Sequence, residues 1–392
     1  MTARRPPAWP SPSVLAVCGR LRQAGHDAYV TGGAVRDRLL GRESKDIDIV
    51  TNASMAQLMG LFPDGAMSRA GFDIFHPHSP AERIEIASFL RHDGGMPSPA
   101  SATVLADDAA QRDFTVNALY YEPAGRALSD FHGGLHDLAA KTLRSIGNPA
   151  ERFAQDPVRM LRAVRMRNTL GFEFAHGLAD AILHAAPALR TAAPERVVAE
   201  LAQQVNCGAA LACSRDWINT GLHLALFPGC PGAAGTRFRE AALAAIDAAV
   251  ASIGPLSPGL AMCVLLWPQI KAGTASATPG SGGLPTALDA VLERQPGALG
   301  ANTIMRAEII AIARIQHVFE AGPRHDAQRL LQHPRLRAAY NLLQLRCAAG
   351  ELASSLACDW EAALRDVIQR AGPARLPEAA PRPALITAAG SP

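Results

Sequence analysis

Two acids, Asp46 and Asp48, stand inside the otherwise apolar run SKDIDIVTNAS at residues 44–54. Ile47, Ile49 and Val50 are β-branched and favour a strand. Side chains alternate along a strand, so Ile47 and Ile49 can face a core while Asp46 and Asp48 share the opposite face. Two carboxylates converging to about 5 Å repel by roughly 3 kcal/mol at an effective dielectric of about 20. A cation between them offsets that repulsion, so the spacing points to a divalent-metal site. Glu85 lies between Ile84 and Ile86 in the same pattern. It is a candidate further ligand, with a solvated strand residue as the competing reading.

Just upstream, YVTGGAVRDRLLG reads as a strand over Tyr29–Thr31, a tight turn at Gly32 and Gly33, and a helix over Ala34–Leu40 ending at Gly41. Glycines at a strand-to-helix junction let backbone N–H groups approach phosphate oxygens. Arg36 on the first turn adds a charged fork. The run is neither G-x-G-x-x-G nor a P-loop, which excludes dinucleotide and Walker-type binding. A plain turn competes with the phosphate reading until position is considered. A phosphate-cradling turn, a short helix and a strand bearing Asp-x-Asp describe a nucleotidyltransferase head, in which two acids hold divalent metals.

The composite GGAVRDRLLGRESKDIDIVTNAS resembles the bacterial poly(A) polymerase and class II tRNA nucleotidyltransferase family, with its polymerase-β-like catalytic domain. QRDFTVNALYY (111–121) resembles the family motif R-R-D-F-T-x-N-A, and IGNPAERFAQDPVRMLRAVRMRNTLGF (146–172) its next block. The resemblance implies that Asp37, Arg112 and Asn117 join Gly32, Gly33 and Arg36 at the nucleotide. It brings Asp113 as a third active-site acid, on either metal or ribose. It places Asp156 and Arg159 at the base edge and Arg162 near the phosphates. From the residues alone, the last block is a helix with Asp156 as N-cap, Pro157 first and Gly171 as the stop, carrying a solvated arginine stripe. Gln111 and Gln155 depart from the family's usual Arg and Glu; Gln155 can hydrogen-bond a base but carries no charge.

Positioning these groups needs a small mixed sheet with helices, then an all-helical neck and body: an α+β chain. Strand patterns (DAYVTGG, KDIDIVT, ERIEIASFL, FTVNALYY) alternate with helices to about Tyr121, and strand signals nearly vanish after Glu151. The expected division is a tail at 1–12, a catalytic head at 13–150, a neck at 151–205, a body at 206–370 and a tail at 371–392. A flexible insert is expected at 271–286 and a mobile loop at 94–103.

The 392 residues, 48% hydrophobic and 19% charged, fit a globular chain. A net charge of +3 permits a nucleic-acid partner without demanding one. Seven cysteines without a C-x-x-C pattern read as reduced thiols, and MTARRPPAWPSPS lacks a signal-peptide core, so a cytoplasmic location is expected. No run of eighteen apolar residues argues for a membrane span.

RHDAQRLLQHPRLRAAYNLLQLR (324–346) and LAMCVLLWP (260–268) resemble the poly(A)-adding branch. The resemblance therefore implies template-independent addition of AMP from ATP to an RNA 3′ end, of mRNA or small RNA, with two Mg²⁺ ions and without DNA or membrane. CCA addition to tRNA is the alternative. An RNA-binding module on an inactive fold runs against the intact acid pair. Four His-Asp dipeptides, at 26–27, 92–93, 136–137 and 325–326, lack the clustering that a phosphohydrolase needs. The tail lacks the long basic extension of some family members, which argues for modest RNA affinity.

Overall fold

The computed structural model describes residues 9–44, 46–69, 73–80, 82–89, 102–229, 233–275, 283–294, 303–323 and 327–371. The chain forms two compact units. The first gathers residues up to Arg152 together with Glu173–Leu178, and the second gathers Phe153–Phe172 with the residues from Ala179 onward.

The first unit holds strands β1 (Ala28–Thr31), β2 (Asp46–Thr51), β3 (Ala66–Arg69), β4 (Asp73–His76), β5 (Arg83–Ser88), β6 (Leu119–Glu122) and β7 (Ala127–Asp130). They make one mixed sheet in the order β3-β4-β5-β2-β1-β6-β7, where only β2 and β5 run parallel. A short pair, β8 (Thr142–Leu143) and β9 (Glu173–Phe174), completes the unit. Its helices are α1 (Pro12–Gln23), α2 (Gly33–Leu39), α3 (Met55–Leu61), α4 (Ala102–Gln111) and α5 (Gly134–Ala139).

The alternation in β2 divides the sheet. Ile47 and Ile49 are buried with Ile84, Ile86 and Val30, while Asp46, Asp48 and Val50 point the other way. On that second face Val50, Ala118, Tyr120 and Ile146 form a core with Leu105 and Ala109 of α4. The acids therefore stand beside a packed surface that fixes the strand carrying them.

The second unit contains α7 (Val158–Leu170), preceded by α6 (Pro149–Gln155), and then α8 (Leu178–Ala185), α9 (Pro194–Val205), α10 (Ala210–Asn219), α11 (Leu222–Leu226) and α12 (Ala233–Ile253). It continues with α13 (Pro258–Ala275), α14 (Gly283–Arg294), α15 (Thr303–Glu320), α16 (Ala327–Leu331), α17 (Leu336–Ala348) and α18 (Ser354–Ala371). α13 is buried at every residue from Gly259 to Ile270 and packs on α9, α12, α14 and α15. An all-round apolar helix of this kind is a core helix. Among the described residues no helix is long and apolar enough to cross a membrane.

Several expectations change. FTVNALYY is not one strand: Thr115–Asn117 form a 3₁₀ turn and β6 starts at Leu119. The Thr115 N–H donates to the Arg144 carbonyl and its hydroxyl to the buried Asp137 carboxylate, which break the strand. β3, β4, β7, β8 and β9 were not expected, being short strands with little apolar alternation. Trp9 to Ser11 belong to the fold, with Trp9 against Tyr121 and Ser11 capping α1. The 271–286 insert is helical to Ala275 and again from Gly283; residues 276–282 lie outside the described set. The same holds for residues 94–101 of the expected loop and for the tail from 372, while α4 opens at Ala102.

Candidate nucleotide and metal site

The turn after β1 is the centre of the candidate site. Gly32 has φ +68, a backbone that a side chain strains. A Cβ there would lie 2.8 Å from Asp48 Oδ2 and 3.4 Å from Arg112 Nη1. The missing side chain thus lets the turn lie directly against a β2 carboxylate and a guanidinium. The helix begins one residue earlier than the sequence suggested, at Gly33, and Arg36 folds back over that residue.

Pairing aligns the acids. Asp48 sits opposite Thr31 on β1 and Glu85 on β5, while Asp46 is opposite Arg83. Directly paired residues project to the same face, so Asp46, Asp48 and Glu85 share one side. Asp46 is exposed and Asp48 half-buried. Glu85 takes an ion pair from Arg83 at 2.8 Å. Among the described residues no three His, Cys, Asp or Glu side chains gather as a metal-binding group, so Glu85 does not close a three-acid cluster.

A hydrogen-bond chain links the remaining head residues. Arg36 donates to Asp37 Oδ1 at 2.8 Å and to Asn117 Oδ1 at 2.7 Å. Asn117 Nδ2 donates to Asp113 Oδ1 at 3.0 Å, and the Phe114 N–H donates to the same oxygen. The Asn117 carbonyl accepts from Arg112 Nη1 at 3.3 Å. Asn117 therefore joins three of the expected residues, and the 3₁₀ turn is what aims it. Asp113 is held at the edge of this chain by the Ile146 N–H on its carbonyl.

Arg112 is the most constrained of these groups. Its Nε donates to Asp108 Oδ2 at 3.1 Å and to the Tyr120 hydroxyl at 2.9 Å, with the guanidinium 5.1 Å from the Tyr120 ring centre. Burial works against its charge, but Asp108 and Tyr120 more than offset this and raise its pKa. Burial raises the Tyr120 pKa as well, so the phenol stays protonated. The Gln111 and Arg112 carbonyls accept from Arg152 Nη2 at 2.6 and 2.8 Å.

The α7 residues form a separate set in the second unit. The helix starts at Val158, one residue later than expected, and stops at Gly171 with φ +70. Asp156 Oδ1 still accepts from the Val158 N–H at 3.3 Å. Arg159 lies 3.8 Å from Asp156 Oδ2, and Arg196 of α9 donates to that oxygen at 2.7 Å. Arg162 is half-buried one turn on, and Gln155 is exposed. The rest of the arginine stripe is not simply solvated: Arg165 pairs with Glu200 and Arg167 with Asp216.

Sequence reasoning missed Asp108, Tyr120 and Arg196. The Asp108–Arg112 spacing of four on a helix was an available signal; Arg196, 40 residues from its partner, offered none. Of the His-Asp dipeptides, His136 is exposed and Asp137 is spent on Thr115 and Arg144. Those at 92–93 and 325–326 lie outside the described residues.

Comparison with known proteins places the chain in a family. The family described as Poly A polymerase head domain matches residues 28–144. A second, Polymerase A arginine-rich C-terminus, matches residues 279–380. Poly(A) polymerase I of Escherichia coli O6:H1 is 30% identical over 363 residues, covering 86% of this chain and 78% of that protein. The CC-adding tRNA nucleotidyltransferase of Halalkalibacterium halodurans is 39% identical over 189 residues, 48% of this chain and 47% of that one. The solved CCA-adding enzyme of Bacillus stearothermophilus in complex with CTP aligns with TM-score 0.59 and 26% identity, over 90% of this chain and 80% of that chain. The chain belongs to the poly(A) polymerase family of RNA nucleotidyltransferases.

Proposed function

We propose that the protein adds AMP from ATP to RNA 3′ ends without a template. The observation that carries this reading is the extent of the likeness. Similarity to poly(A) polymerase I runs over 86% of the chain, while similarity to the CC-adding enzyme covers 48%. The poly(A) likeness therefore includes the body, where the branches of the family differ most in this chain's motifs. In this reading residues 13–150 are the catalytic head, 151–205 the base-recognising neck and 206–370 the RNA-binding body, and the protein works in the cytoplasm.

Asp46 and Asp48 fit Mg²⁺. They are hard oxygen donors on one strand face, next to a turn whose missing Cβ leaves room. Mg²⁺ typically takes one or two carboxylates plus substrate phosphates, so two protein acids suffice. When bound, the metal supplies activation of the RNA 3′-hydroxyl and neutralises charge on the triphosphate.

The chain's own residues do the rest. Gly32 and Gly33 let the backbone approach the phosphates, and Arg36 and Arg112 offer fixed positive charge. Asp37 and Asn117 hold Arg36 in place. Asp113, gripped by Asn117, faces the metal or the ribose hydroxyls. Asp156 accepts from an exocyclic amine while Arg159 donates to a ring nitrogen, so protein atoms stand in for a template; Arg162 supports the phosphates.

The test is to incubate the protein with each NTP separately, on an unstructured RNA and on tRNA lacking its CCA end. ATP alone should extend the unstructured RNA by many nucleotides. A product that stops at CCA, on tRNA only and after CTP, would replace this reading with CCA addition.

A further inference from the structure

Arg112 is held by more contacts than charge neutralisation requires. One carboxylate, Asp108, already balances it. Yet Tyr120, whose ring is fully buried between sheet and α4, directs its hydroxyl to the same nitrogen and donates to Asp108 Oδ2 at 2.5 Å. A phenylalanine would fill that core position without burying a hydroxyl, which needs a partner to be tolerated. The ring is fixed by Phe131 edge-on at 6.2 Å and by pairing with Thr31 and Ser129. The backbone of Arg112 is fixed independently by Arg152. Both ends of the side chain are therefore set before any ligand arrives.

The direction that results is specific. With Nε on Asp108 and Tyr120, Nη1, which also donates to the Asn117 carbonyl, reaches the Gly32 turn at the point that Asp48 Oδ2 also approaches. An arginine with ordinary side-chain freedom at this place would be drawn toward Asp48. It would also pay an ordering cost when a phosphate binds.

We propose that Asp108 and Tyr120 are a positioning pair that presets Arg112 at the Gly32 turn for the triphosphate and keeps its guanidinium off Asp48. The inference rests on the reading of Arg112 as nucleotide-binding. Neither residue of the pair touches the nucleotide; each acts through Arg112.

The experiment is a double-mutant cycle on the full-length protein, with a single-stranded RNA primer and Mg·ATP. Tyr120→Phe keeps the ring and removes the hydroxyl; Asp108→Asn keeps the shape and removes the charge. Each should raise KM for ATP by about tenfold, the effect of one charge-assisted hydrogen bond, with kcat within about threefold. In an Arg112→Ala background neither should add anything. If Asp108→Asn fails to fold, Tyr120→Phe and its double decide alone. Unchanged KM in the single variants overturns the proposal. So does a defect that multiplies in the Arg112→Ala background, because the pair would then be acting on the fold. Arg112→Ala with an unaltered KM for ATP overturns the nucleotide reading itself, and the positioning role with it.

Discussion

Two stacked arginines, one in each unit, use the same chemistry for opposite ends. Arg346 in the second unit is 3% exposed and lies 4.6 Å from the Trp267 ring centre. Each of its nitrogens donates within the protein: Nη1 to Gln316, Nη2 to Glu320 and Glu351, Nε to Glu351. Glu351 is further held by the Trp267 N–H and by Lys271. Arg112 has a similar aromatic partner and one acid, and its Nη1, which donates to the Asn117 carbonyl, also lies against a glycine turn. The lesson is that burial of a charge does not by itself mark a site. A structural arginine is closed by two carboxylates and an amide, whereas the candidate functional one has one carboxylate, a phenol and a carbonyl and lies against a glycine turn.

The largest effect expected from this contrast is on the closed network. Arg346→Ala takes the guanidinium from the largely buried Glu351, which keeps Lys271 and the Trp267 N–H, and from the exposed Glu320. Breaking such a buried pair should cost about 3–5 kcal/mol, a fall in Tm of roughly 10 °C. Thermal unfolding measures it, and a fall below about 2 °C would mean that the network is not the body's anchor.

A smaller effect is expected at Asp156, whose carboxylate is shared between Arg159 and Arg196. Removing Arg196 frees one of two restraints on the proposed base-edge acceptor. Arg196 is about half exposed, so solvent weakens the pair. Arg196→Ala should narrow the ATP-over-CTP preference in kcat/KM by roughly three- to tenfold. Equal loss for both nucleotides would show that Arg196 does not act on base choice.

How much of this was open to the sequence depends on how local each signal is. The β2 acids follow from a period of two, and the Gly32 turn and Gly171 stop follow from glycine's access to positive φ. All three were placed within one residue. Residues 114–121 misled for the same reason: their apolar alternation suits a strand, and only contacts with Asp137 and Arg144 turn Thr115–Asn117 away from it. The four-residue β3, β4 and β7 are too short to carry a pattern. Arg196 and Tyr120 gain their meaning from partners on other elements, which no spacing encodes.

The smallest effect separates two readings of Glu85. Arg83 is 65% exposed, so solvent screens its ion pair with the half-buried Glu85, worth about 0–1 kcal/mol. Glu85→Gln should therefore leave Tm within about 2 °C and turnover within about threefold. A loss of a hundredfold or more would make Glu85 a metal ligand and require the acid cluster to tighten around bound Mg²⁺.

The central claim is that the β2 acids serve the reaction and not the fold. Asp46 tests it most directly, being exposed on the strand face shared with Asp48. Asp46→Asn preserves shape and removes one proposed metal ligand. The measurement is Tm and ATP-dependent RNA extension on the same preparation. The account predicts a Tm within about 2 °C of the parent, as for an exposed substitution, with extension reduced by at least about a thousandfold. Extension retained at more than a few per cent of the parent rate would contradict the metal assignment.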